Sequence, residues 1–299
     1  MSEVATGAVR EARRRSGVID FAVKMVKTKP LGTACAGVVL LFVLSAIFAD
    51  VIAPYPPDEL NVLNRLQGSS AAHLLGTDQV GRDLLTRLIY GSRISLLVGL
   101  SATTINVLVA ILLGGGSGFL GGKVDIAVQR VVDAWIAFPG LLLLLTIMSL
   151  TGKGLLQMIL VLGVAGGVEG SRVPRSAVIA IKENDYFQAA RAIGTSTRWT
   201  LLRHVVPNIM APMIIVFSIS VGGNILSAAA LSFLGYGLPA GMPDWGGMLS
   251  QEGLLYMESA PWLAFWPGVC LTVIVYSLNM LGDALRDLLD PRLRGSTER

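Results

Sequence analysis

The sequence predicts an all-α membrane protein with about six transmembrane helices, on three observations. Of its 299 residues 53% are hydrophobic and only 15% charged, with a mean hydropathy of +0.65, too apolar for an ordinary soluble chain. Apolar runs near the roughly 20 residues that a bilayer crossing needs recur along the whole chain. The basic residues behind the net charge of +4 stand at the flanks of those runs, not on a polar face beside stacking aromatics. That placement argues for a lipid surface and against nucleic acid.

The first run, Leu31 to Ala49, is almost uninterrupted, and Asp50, Pro54, Pro56 and Pro57 close it. Arg10, Arg13, Arg14, Arg15, Lys24, Lys27 and Lys29 precede it, which puts the N-terminus in the cytoplasm by the positive-inside rule. The long charged lead fits an uncleaved anchor better than a signal peptide. Val18 to Val26 is apolar with Lys24 interspersed, as expected of a helix lying on the inner surface. Residues 54–93 are polar and rich in turn formers and form an outer loop, ending in an amphipathic piece from Leu84 to Tyr90.

A second span is expected from Ile94 to Leu113, and a third from Val131 to Leu150 with a kink at Phe138-Pro139 near the inner face. The fourth, Leu155 to Val168, is short and glycine-rich, which suits close helix packing in lipid. Arg172 to Pro207 carries six basic residues and reads as a cytoplasmic loop. Counting crossings from an inside N-terminus gives the same side. A fifth span from Ile209 to Leu234 and a sixth from Pro261 to Leu281 flank a loop whose Trp245 and Trp262 suit an outer interface. Arg286, Arg292 and Arg294 return the C-terminus to the cytoplasm. The chain thus divides into an inner N-terminal segment (1–30), a first span (31–53), an outer loop (54–93), a core (94–285) that contains an inner loop (182–207), and a tail (286–299).

That inner loop reads YFQAARAIGTSTRWTLLRHVVPN from Tyr186 to Asn208. It implies two short helices: one through Ala192, a break at Gly194 where a positive φ is cheap, and one from about Thr197 with Ser196 as N-cap. Trp199, Leu202 and Val206 recur at spacings of three and four and form an apolar ridge. Such a helix-turn-helix offers a docking surface to a soluble partner. Packing of the ridge on the lipid interface is the competing reading.

With Gln188, Ala189, Ala190, Gly194 and Pro207 in place, the loop resembles the EAA loop of ABC importer permeases. Gln188 stands where that family usually has Glu, and a neutral amide keeps hydrogen bonding but loses a charge-assisted partner. The segment from His73 to Gly99 (HLLGTDQVGRDLLTRLIYGSRISLLVG) resembles that preceding the second span in dipeptide, oligopeptide and nickel permeases, in the C-type subunit with the long first loop. LSFLGYG at Leu231, PDWGGML at Pro243, APWLAFWPG at Ala260 and LGDALRDLLDPR at Leu281 resemble the same subunit.

The resemblance implies a type I importer permease (MetI-like) fold in a bacterial inner membrane. It also implies a second homologous permease subunit, two ATPase subunits below that bind ATP and magnesium, and an extracytoplasmic solute-binding protein above. The solute it implies is a di- or oligopeptide, with nickel or another small solute such as glutathione as the alternative. In that setting the coupling residues are Gln188, Ala189, Ala190, Gly194, Trp199, Leu202 and Pro207.

Ser101, Thr104, Asn106, Ser218, Ser220 and Asn224 are polar within the spans and are candidates for the translocation path. Each is also a candidate for gluing helices together, the preferred role for any one of them. Asp133 and Glu169 near the inner ends suit pairing with Arg130 or Arg172 better than a proton relay.

No cofactor, metal site or catalytic group is expected in this chain. Gly116, Gly118 and Gly121 spell GxGxxG without a preceding strand, and GxxxxGK[ST] is missing from the sequence. Cys35 and Cys270 sit in apolar runs as buried thiols. His73 and His204 fall on opposite sides of the expected membrane, and His73 is expected to face solvent or headgroups. Two other classes compete: an ion-coupled secondary transporter, which would need charged midplane residues, and a membrane scaffold, which would leave the inner loop without an ATPase.

Overall fold

The computed structural model describes residues 17–185, 187, 194–239 and 241–289. Among them there is no strand, only an isolated bridge between Thr77 and Asp83. An amphipathic helix α1 (Gly17–Thr28) leads into α2 (Pro30–Ile47), the first span, and a single turn α3 (Ala49–Ile52) follows. The second span, α4, runs from Leu84 to Leu120. It therefore begins ten residues before the expected start. The Asp83 carboxylate caps it by accepting from the Thr86 amide at 2.8 Å, so the amphipathic piece at Leu84 to Tyr90 is its first turns.

The third crossing is two helices, α5 (Gly122–Ile136) and α6 (Gly140–Thr151), set at 92° about the Phe138-Pro139 break. That is a corner rather than a kink. The fourth, α7, is not short: it continues past Val168 through the basic stretch and ends at Lys182. Helix α8 (Val206–Phe233) is the fifth span, α9 (Trp245–Gly247) is a short outer turn, and α10 (Trp262–Leu289) is the sixth span.

The direction of each helix follows from where glycines let backbones meet. A Cβ on Gly163 would lie 2.6 Å from Ile105, one on Gly167 2.5 Å from Val109, and one on Gly114 1.7 Å from the Ser171 carbonyl oxygen. Residue numbers rise together on both sides, so α4 and α7 run parallel. Parallel neighbours joined by residues 121–154 require that α5 and α6 together cross back. The described residues accordingly make six crossings, although five of their helices are individually long and apolar enough. Lys29 meets Asp287 and Gly32 meets Ala284, while Ile219 meets Gly282 and Gly222 meets Leu278, so α2 and α8 are antiparallel to α10. Both described ends and the segment around Gly194 therefore share one side.

At the opposite side a buried charge cluster ties the first loop to the turn after α9. Arg82 donates to Asp78 at 2.6 Å and to Glu252 at 3.0 Å. Arg87 reaches Asp78 at 3.3 Å and Glu252 at 3.2 Å. Trp245 does not lie at an interface. It is fully buried, donates to the Leu88 carbonyl at 3.1 Å and meets Phe42 edge-on. His73 is likewise buried, 3.0 Å from Asp83 and stacked on Tyr55, because the first loop folds back on the start of α4 instead of lying open. At the outer end of α2, Asp50 accepts from Arg93 at 2.9 Å and from Tyr90 at 2.8 Å, and these bonds hold its carboxyl below the ordinary value.

Asp244 caps α9 by accepting from the Gly247 amide at 3.0 Å, yet burial pushes its carboxyl above the ordinary 3.8. The folded chain then keeps a proton that the unfolded chain has released. Its contribution is complete below pH 3.8 and is lost as pH rises through the native value. Asp244→Asn is expected to flatten that part of a thermal-stability profile measured in detergent against pH. An unchanged slope in the variant would place the titration elsewhere.

Candidate functional site: the exposed elbow at Gly194

The inner segment is built on a small hydrophobic core of Val178, Ile181, Phe187, Val205 and Ile209. Phe187 is the plug. It is buried against the edge of Phe119 at 6.5 Å, and Lys182 beside it donates to the Gly118 and Phe119 carbonyls at 3.2 and 2.9 Å. The inner ends of α4 and α7 are thus fastened to the start of this segment. Sequence reasoning passed over Phe187, although an aromatic flanked by polar residues in a loop is a signal for such an anchor.

Gln188, Ala189 and Ala190 lie outside the described residues, as does the helix expected through Ala192. Gly194 adopts φ +78° and is exposed, and a Cβ there would meet nothing within 4 Å among the described residues. The Ser196 hydroxyl accepts from the Trp199 amide at 3.4 Å and caps the next helical turns, Thr197–Thr200. Thr200, Val205 and Ile209 turn inward. Trp199 is half exposed, with the Arg203 guanidinium 5.9 Å from its ring. The backbone of Leu202 lies in a π-helical turn, Leu201–Val205, whose insertion re-aims the helix.

Pro207 opens the fifth span as expected, in the first turn of Val206–Phe233, and helical turns from Thr197 through the π turn lead into it without a gap. The elbow is therefore one end of a continuous rod that crosses the membrane as α8.

The polar residues of the spans separate into three groups. Asn224 donates to Thr103 at 2.8 Å in the interior and holds α8 to α4. Asn106 is also buried, against the glycines of α7: a Cβ on Gly166 would lie 2.4 Å from its amide nitrogen. Thr104 and Ser218 return their hydroxyls to their own helices, at Leu100 and Ile214, while Ser101 and Ser220 are half-buried. At the inner corner Asp133 accepts from Arg172 at 2.7 Å and lies 3.6 Å from Arg130, with Arg175 doubly bonded to Asp125 nearby. Glu169 is exposed. Among the described residues no three metal-ligating side chains converge.

Residues 107–295 match the family model described as binding-protein-dependent transport system inner membrane component. Residues 22–68 match the N-terminal TM domain of oligopeptide transport permease C. The chain is 38% identical to the dipeptide transport system permease protein of Alkalihalophilus pseudofirmus over 91% of its own length and 90% of the relative's. It is 35% identical to the oligopeptide transport system permease protein of Bacillus subtilis, over 86% and 84% of the two chains. It is also 35% identical to the glutathione transport system permease protein of Pectobacterium atrosepticum, over 86% and 85%. In fold it resembles the methionine ABC transporter MetNI in its inward-facing conformation, with a TM-score of 0.55 and 16% identity over 68% of this chain and 96% of that one. With six crossings among the described residues, an elbow that leads into the fifth, and these matches along most of its length, the chain belongs to the family of binding-protein-dependent transport system inner membrane components.

Proposed function

We propose that this chain is the C-type translocation subunit of an ATP-driven bacterial importer, that peptides are its solutes, and that an ATPase pair drives it through the Gly194 elbow. The observation that carries the mechanism is the unbroken run from the elbow into α8, with Phe187 as the fulcrum against α4. A soluble partner gripping Gln188, Ala189, Ala190, Gly194, Trp199 and Leu202 would move α8 as a lever, and the π turn before Pro207 is the compliant point. The opposite end of α8 leads to the charged outer cap, so a tilt of α8 about the π turn at the inner face is carried along that helix to the outer face.

The partners in this reading are a second homologous permease subunit, two ATPase subunits that bind ATP and magnesium, and an extracytoplasmic solute-binding protein that delivers the solute. The chain itself holds no cofactor and does no chemistry. Lys24, Lys27 and Lys29 at the start of α2 and Arg286 near the end of α10 favour the cytoplasm for both ends, in an inner membrane. Between the two permeases the path would be lined by Ser101, Thr104 and Ser218, which keep accessible faces, and Ser220; Asn106 and Asn224 serve packing. The names of two relatives favour peptides, and a third is a glutathione permease, so glutathione, itself a small peptide, is the second reading. Nickel has no comparable support, because the buried His73 is already bonded to Asp83.

Gly194→Leu forces a side chain into a left-handed backbone conformation without any clash. In proteoliposomes with all partners and a loaded binding protein, the variant is expected to insert normally and hydrolyse ATP, with peptide uptake per ATP reduced by an order of magnitude or so, as a lost lever contact of 1–2 kcal/mol implies. Full uptake in the variant would refute the lever. Uptake by this chain from an ion gradient alone would move it to the secondary transporters.

A further inference from the structure

Next to the charged cluster, below the loop that follows α8, lies a cavity of about 20 Å³ bordered by Arg87, Ser232, Asp244, Met248 and Glu252. Its four polar side chains come from separate elements: α4, the end of α8, the cap of α9 and the turn after it. All are more than nine-tenths buried, at 3%, 3%, 7% and 5% exposure. Within this shell Nε of Arg87 and Oε2 of Glu252 have no protein hydrogen-bond partner, and Nη1 of Arg87 lies 3.3 Å from Asp78 without a well-aligned bond. The Ser232 hydroxyl lies beside Asp244 without a well-aligned bond. Buried donors and acceptors in native proteins are almost always satisfied, by protein or by ordered water.

We infer that this cavity is a binding site for one internal water molecule, which bridges Arg87 to Glu252 and reaches Ser232 and Asp244. The volume suits a single water, since about 10–15 Å³ is the minimum and a second molecule would need as much again with its own polar partners. The lining selects water over an ion. A halide drawn to the Arg87 guanidinium would face the Glu252 carboxylate, and a cation drawn to Glu252 would face Arg87. Water alone accepts from the guanidinium and donates to the carboxylate in the same place. Arg87 and Glu252 already share direct contacts, so the water completes their shells and links the outer ends of α4 and α8 to the turn after α9. This inference stands apart from the transport reading, because it concerns only how the outer cap is held.

The test is a structure of the complete transporter with its partner subunits, at a resolution that shows ordered water, with crystals also soaked in bromide. One density peak within hydrogen-bonding distance of both Arg87 and Glu252, carrying no anomalous signal after the soak, is the expected result. An empty cavity, or a bromide anomalous peak inside it, would overturn the inference.

Discussion

Gly114→Ala is expected to abolish the folded protein. A Cβ at that position falls 1.7 Å from the carbonyl oxygen of Ser171 and 2.6 Å from its carbon, and both obstacles are backbone that no rotamer change can move. The only relief is to part α4 from α7. That separation would also break the seats of Gly163 on Ile105 and of Gly167 on Val109. Overpacking against side chains costs about 1–3 kcal/mol, and here one backbone clash and the two side-chain seats beside it fail together, against a total stability of roughly 5–15 kcal/mol. Size-exclusion chromatography in detergent should show aggregate in place of a monodisperse peak. Gly116→Ala, whose added carbon meets nothing within 4 Å, should instead gain up to about 1 kcal/mol from helix propensity. A monodisperse Gly114→Ala protein with unchanged thermal midpoint would mean that the two helices do not pack this closely.

The second large effect is expected at the outer charge cluster. Arg87 and Glu252 are nearly inaccessible and bridge α4 to the turn after α9. Removing one leaves the buried cluster of Arg82, Arg87, Asp78 and Glu252 with an uncompensated charge, and breaking a buried pair typically costs about 3–5 kcal/mol. Arg87→Ala and Glu252→Ala should each lower the thermal midpoint in detergent by many degrees. The double variant should lose clearly less than the sum, since it leaves the balanced pair of Arg82 and Asp78. Exposed pairs serve as the internal comparison: Arg172→Ala at the Asp133 contact should change stability by no more than about 1 kcal/mol. Strictly additive losses in the cycle would show that Arg87 and Glu252 do not interact.

Apolar runs, basic flanks and glycine positions determined a great deal unaided. Run length fixed the existence of the spans, because lipid leaves the backbone no alternative to a helix. Gly194 fixed the elbow, because its positive φ is cheap only without a Cβ, and Ser196 announced the helix that follows. The glycines of α7 foretold close packing, though not its partner.

Helix ends were harder to place. The α4 helix starts at Leu84 because Asp83 and a folded loop cap it, a contact between residues that polarity alone assigns to solvent. The basic stretch after Ser171 is helical because one face packs on Gly114 and Gly118 while its arginines pair with Asp125 and Asp133.

What the tertiary structure alone decided was direction and burial. That residues 122–151 bend by 92° and still cross follows only from the parallel packing of α4 and α7. That His73, Arg87 and Trp245 are interior follows only from a loop folding over the outer end of the bundle. Composition and periodicity report what a segment prefers from its neighbours in sequence. Which surface it meets is set by contacts with segments elsewhere in the chain, and there the free energy of pairing buried charges and fitting backbones overrides local preference.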